Sequence, residues 1–104
     1  MNARIPQIEQ FLVAAPADPF LNHALALEWI KEGDDQKALH IFEEARKKRP
    51  EYVATYYHLG KLLERLDKEE EAITVYEEGM KWAEAAGDNH SLSELRGVYE
   101  ELTF

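Results

Sequence analysis

The stretch LALEWIKEGDDQKALHIFEEA, residues 25–45, returns 34 residues later as LGKLLERLDKEEEAITVYEEG, residues 59–79. Leu25 falls on Leu59, Ala26 on Gly60, Ala38 on Ala72, Phe42 on Tyr76 and Ala45 on Gly79. Outside the stretch, Pro16 falls on Pro50. Small residues meet small and aromatic meet aromatic, so the period holds in chemistry as well as in spacing. A fixed period of this length marks stacked supersecondary units, each too small to bury its apolar face alone.

Each unit reads as two amphipathic helices. Over 19–32, Phe20, Leu21, Ala24, Leu25, Leu27, Trp29 and Ile30 recur at helical rather than alternating spacing. Asp18 suits an N-cap, and Pro19 the first helical position, where its missing N–H is no loss. Gly33-Asp34-Asp35 ends this helix and caps the next, which sets Ala38, Leu39, Ile41, Phe42 and Ala45 on one face. The basic run 46–49 sits in its last turn, where the helix dipole favours cations, and Pro50 stops it. In the second unit, Tyr52 to Leu66 is expected to form the first helix. Asp67 then reads as an N-cap with Glu70 three residues on, before a helix carrying Ala72, Ile73, Val75, Tyr76, Gly79, Met80 and Trp82. Ala26 with Ala38, and Gly60 with Ala72, are the expected points of close helix approach. Phe42 and Tyr76 are expected to fill the space between one helix pair and the next.

This 34-residue pattern resembles the tetratricopeptide repeat family, whose pattern is Trp/Leu-x2-Leu-Gly-x2-Tyr followed by Ala, Phe, Ala and Pro. The first unit shows Leu25, Ala26, Trp29, Ala38, Phe42, Ala45 and Pro50, and departs at Asn22. The second shows Tyr56, Leu59, Gly60, Leu63, Ala72, Tyr76 and Gly79, and departs at Glu84, which stands in the Pro place. Leu92, Leu95 and Tyr99 restate Tyr56, Leu59 and Leu63 at an offset of 36, so two residues are inserted near 85–88. Arg96 stands where the pattern wants a small residue, which suits a solvating cap. Ile5, Ile8, Phe11 and Leu12 form an apolar face before Pro16 and read as a lone second helix. The resemblance implies an all-α fold, a right-handed α-solenoid of antiparallel helix pairs with about six helices. A single domain over 1–104 is expected: a capping helix at 5–14, repeats at 19–50 and 52–86, and a capping helix at 89–102.

Composition narrows the function. The 104 residues carry 12 Lys+Arg against 21 Asp+Glu, a net charge of −9. This length is one domain's worth of chain, too short for a barrel enzyme or a complete doubly wound fold. The acidity argues against nucleic acid and anionic membrane as partners. Residues 53–104 hold 12 acids and 5 bases, whereas 1–52 hold 9 and 7, so the excess belongs to the second unit and the cap. Cysteine is absent, which removes disulfides and thiolate chemistry. No apolar stretch approaches the roughly 20 residues of a membrane helix. Residues 1–15 make a poor signal peptide, and cytoplasmic residence is expected. Asn89-His90-Ser91 matches a glycosylation triplet of the kind that arises by chance.

There is no Gly-rich phosphate loop, nucleophile elbow or His-Glu-x-x-His, so no enzyme is expected. His40 with Glu44, and His90 with Glu94, stand four apart, but two ligands are too few for a zinc site; no metal and no cofactor are expected. The run Glu69-Glu70-Glu71 reads as a solvated face. What remains is a surface. The resemblance implies that the first helix of each unit lines a concave groove for a peptide or partner segment. Carried over, the groove residues are Phe20, His23, Leu27, Ile30 and Lys31 in the first unit and Ala54, Tyr57, Lys61, Glu64 and Arg65 in the second. The cap would add His90, Ser93, Glu100 and Glu101. The expected partner is a protein or peptide with an apolar anchor at Phe20 and Leu27 and a basic part toward the acidic cap. The alternative is a homodimer through the stripe Phe20, Leu27 and Ile30. Family members that clamp a chaperone's terminal carboxylates use Lys, Asn, Asn, Lys and Arg. The matching places here hold His23, Leu27, His58, His90 and Glu94, so no such clamp is expected.

Overall fold

The computed structural model describes residues 2–104, and all regular structure among them is helical. The chain divides into two compact units, the first ending at Arg49 and the second beginning at Pro50.

The first unit holds α1 (Arg4–Ala14), α2 (Pro19–Lys31) and α3 (Asp35–Lys48). Asp18 caps α2 by accepting the Leu21 N–H at 3.0 Å, with Pro19 in the first turn. Helix α2 packs on both α1 and α3. Ala26, Ala38 and Phe42 are fully buried. Ile5 and Ile8 of α1 bury against Leu25, with Leu12 beside them. Phe11 does not join that face: it is 66% exposed. Positions 5, 8 and 12 keep the i, i+3, i+7 stripe, and Phe11 falls to its side. A polar clamp adds to the seam. Glu28 is buried; Asn2 Nδ2 donates to its Oε1 at 2.9 Å, and Arg4 and Lys31 lie within 4 Å. The Asn2 amide, with the two cations, holds the Glu28 carboxyl below its ordinary range.

The second unit holds α4 (Ala54–Arg65), α5 (Glu69–Ala86) and α6 (Asn89–Thr103). Helix α4 starts two residues later than Tyr52. The N–H groups of Thr55 and Tyr56 bond three residues back, to Tyr52 and Val53, so 52–53 form a tight turn instead. Helix α5 runs 18 residues, against 14 for α3, as the missing Pro at Glu84 allows.

Gly60 and Gly79 are close-approach points, and the nearest atoms at each belong to a tyrosine of the facing helix. A Cβ on Gly60 would collide with the Tyr76 ring, and one on Gly79 would stand 2.5 Å from Tyr56 Cβ and 3.1 Å from Leu95 Cδ1. Each helix of the pair thus carries one glycine notch and one tyrosine that fills the other's notch. Tyr76 therefore fills space inside its own pair. Both tyrosines are fully buried, and both hydroxyls are satisfied: Tyr56 donates to the Pro50 carbonyl at 2.5 Å and Tyr76 to Glu64 Oε2 at 2.5 Å. Burial and the Glu64 carboxylate push the Tyr76 hydroxyl far above its ordinary range, so it remains a donor.

Three of the helix-to-helix turns, α2–α3, α4–α5 and α5–α6, share one hydrogen-bond pattern. Asp34 N bonds Trp29 O, Lys68 N bonds Leu63 O and Asp88 N bonds Ala83 O, each six-to-one, with a left-handed residue between. Gly33 (φ 81°) and Gly87 (φ 70°) fill that place in two turns; Asp67 (φ 60°) fills it in the third. Asp67 is therefore not the N-cap of α5. That place belongs to Lys68, whose side chain makes no capping bond. Asp34 and Asp88 do cap, accepting from Lys37 N and Ser91 N at 3.1 Å.

Three outcomes follow for chemical denaturation. Gly60→Ala is expected to cost about 2 kcal/mol by forcing the Tyr76 ring away. Gly97→Ala, where a Cβ meets open space in α6, is expected to gain about 0.5–1 kcal/mol. Equal effects at the two glycines would contradict the notch assignment. Asp67→Gly is expected to stabilise by about 1 kcal/mol by relieving the left-handed strain, a rise in unfolding midpoint.

Candidate functional site

The residues named from the sequence fall on two helices, one in each unit. On α2, Phe20, His23, Leu27, Ile30 and Lys31 recur at intervals that keep one face. Phe20 is 66% exposed, Leu27 and Ile30 are half-buried and Lys31 is exposed, with its Nζ 3.8 Å from Glu28 Oε1. His23 is half-buried and meets Phe42 edge to face, ring centroids 5.8 Å apart. On α4, Lys61 and Arg65 are exposed. Glu64 is committed inward as the Tyr76 acceptor, and Lys61 Nζ lies 3.8 Å from it. Tyr57 and Ala54 of the α4 set open onto one cleft.

That cleft, about 330 Å³, lies between α4 and α6. Its walls are Ala54, Tyr57 and His58 on α4 and Ser91, Glu94 and Leu95 on α6, with Val53 at its end. The Tyr57 and His58 rings meet edge to face at 5.5 Å. Glu94 Oε1 lies 3.5 Å from His90 Nε2. His58 is half-buried, and burial pushes its imidazole below the ordinary 6.5, opposed by the Glu94 charge. His58 and Glu94 were read from the sequence only as places where a carboxylate clamp is missing, and Ser91 was not among the sequence-derived groove residues. The signal that reaches them is the 36-residue offset, which lays Glu94 on His58 and His90 on Ala54.

A second cleft, about 480 Å³, opens in the first unit over Leu25 and Trp29, with Glu9 on one rim and Lys37 and His40 on the other. Lys37 Nζ stands 4.1 Å from the Trp29 ring centroid. Charges of both signs on this rim select no ligand. Among the described residues no three His, Cys, Asp or Glu converge on a metal-sized space, and no helix is long and apolar enough to cross a membrane.

The arrangement around His58 has a measurable signature. Its NMR titration midpoint is expected below 6.5, and Glu94→Gln is expected to lower it further, since burial opposes the imidazolium and Glu94 favours it. Because the folded state binds the proton less readily than the unfolded chain, the stability tied to His58 is present above 6.5 and lost as pH falls through the folded midpoint. A midpoint at or above 6.5 would contradict this environment.

The tetratricopeptide repeat family model matches residues 30–90. The crystal structure of a tetratricopeptide repeat domain protein from Salinibacter ruber is 44% identical, with 83% of this chain and 96% of that one covered and a TM-score of 0.80. The solution structure of such a protein from the same organism is 45% identical over 84% and 88%, with a TM-score of 0.81. A Bordetella parapertussis protein, 23% identical over 99% and 90%, shares the fold at a TM-score of 0.81. No curated protein matches. With its family pattern matched over more than half of its length, the chain belongs to the tetratricopeptide repeat family, all-α helical repeats that generally mediate protein–protein interaction rather than catalysis.

Proposed function

We propose that this chain is a non-catalytic interaction module that binds an extended segment of a protein partner on the faces of its first helices. The cleft beside Tyr57 carries this reading. It is lined by an aromatic pair and polar groups, and its volume of about 330 Å³ has room for a peptide side chain. Rigid aromatic anchors of this kind supply much of the binding energy at interfaces. On α2 the same role falls to Phe20, whose exposure leaves an apolar ring in water unless something covers it. His23, Leu27, Ile30 and Lys31 flank it, as Lys61 and Arg65 flank Tyr57. The excess of acids over bases in residues 53–104 suits a partner whose basic part meets the second unit. A cytoplasmic setting fits the cysteine-free composition. Exposed Phe20 also supports a second reading, a homodimer that covers the stripe Phe20, Leu27 and Ile30.

Affinity capture from the source cells with Phe20→Asp and Tyr57→Ala variants tests the module. One partner is expected to be lost about tenfold in both, with circular dichroism unchanged. Retention of every captured protein by both variants would sink it. Light scattering that shows a dimer in the parent chain and a monomer in Phe20→Asp would favour the homodimer instead.

A further inference from the structure

Resting on the groove reading above, we infer that the α4–α6 cleft receives an arginine or lysine side chain of an extended peptide. Its cation meets the Glu94 carboxylate and its stem crosses the Tyr57 and His58 rings.

The charges around the cleft point one way. Glu94 is the one carboxylate on its walls, and neither Lys nor Arg lines it. The Glu94 side chain is about half exposed, open enough to be reached. Its near neighbour His90 is 84% exposed at the side chain and holds Glu94 only at 3.5 Å, a contact a stronger cation displaces. His58, kept below the ordinary histidine range by burial, adds no opposing charge at neutral pH.

One effect opposes a cation. Val53 and Ala54, at the N-terminus of α4, line the same cleft, and no side chain caps that helix. A helix N-terminus carries about half a positive charge, and the effect fades within the first turn. Glu94 stands on the α6 wall of the cleft, not in the turn that bears this field, and a carboxylate carries a full charge. The carboxylate therefore governs its end of the cleft, while the N–H groups at Ala54 suit a peptide carbonyl. The aromatic pair favours a flat cation: a guanidinium stacks on a ring and forks onto a carboxylate at once, which an ammonium cannot do. The excess of acids in residues 53–104 steers a cationic segment toward this unit.

The test is a phage-displayed library of random dodecapeptides panned against the full chain and, in parallel, against Glu94→Lys. Selected peptides are then synthesised and titrated by fluorescence anisotropy. Peptides taken by the parent chain are expected to share an Arg or Lys. Replacing that Arg by citrulline, or Glu94 by Gln, is expected to weaken binding about fivefold, and doing both to add nothing further. Glu94→Lys is expected to select acidic peptides in its place. Peptides that require Tyr57 yet bind Glu94→Gln as tightly as the parent chain would overturn the cation assignment and leave the groove standing. Recovery of no peptides, or only of peptides that lose nothing in Tyr57→Ala and in Ala54→Phe, would overturn the groove and this inference with it. Ala54 is exposed, so filling the cleft from there leaves the core intact.

Discussion

The second unit depends on a reciprocal fit between two tyrosines and two glycines. Tyr76 lies over Gly60 and Tyr56 over Gly79, so α4 and α5 interlock at two levels along their axes. Only a residue without a side chain leaves room for a phenol ring at helix-contact distance. Two notches also fix the register: a slide of one turn would put a ring against a side chain at both levels. The hydroxyls extend the constraint, tying Tyr56 to the Pro50 carbonyl and Tyr76 to Glu64. Leu95 of α6 closes on the same notch, 3.1 Å from where a Cβ on Gly79 would stand. Thus the cleft that carries Tyr57 and Glu94 rests on walls positioned by this interlock.

Much of this was written in the order of residues. The 34-residue offset located the helix pairs, and the 36-residue offset located α6, because apolar periodicity and small-residue spacing are set by backbone geometry. Asp67 shows where local reading failed. An Asp followed by Glu at the third place suits an N-cap, yet the offset lays Asp67 on Gly33 and Lys68 on Asp34. The repeat, not the local chemistry, decided the conformation: the turn has one length, and its left-handed place is filled by whatever residue stands there. Phe11 failed for a different reason. Its apolar character says it belongs with a core, whereas its helical angle takes it off the face that α2 covers.

The groove residues were legible only as a helix face. Spacing put Tyr57, Lys61, Glu64 and Arg65 on one stripe, but it could not separate Glu64, drawn inward by a buried hydroxyl, from Tyr57, which opens to solvent. His58, Ser91 and Glu94 become neighbours only when α4 and α6 pack beside one another. No single helix carries that juxtaposition in its own periodicity.

The uncapped turn at 66–68 has a consequence for how α5 is held at its start. Helices α3 and α6 begin on an aspartate that accepts a backbone N–H, a short-range bond that dissolved ions barely weaken. Helix α5 begins instead with Glu69, Glu70 and Glu71 in its first turn, where their charges favour the positive end of the helix without a capping bond. That attraction is screened within about 10 Å at 0.1 M salt. The opening turn of α5 is therefore the part of the repeat most responsive to ionic strength, although its sequence is the most highly charged.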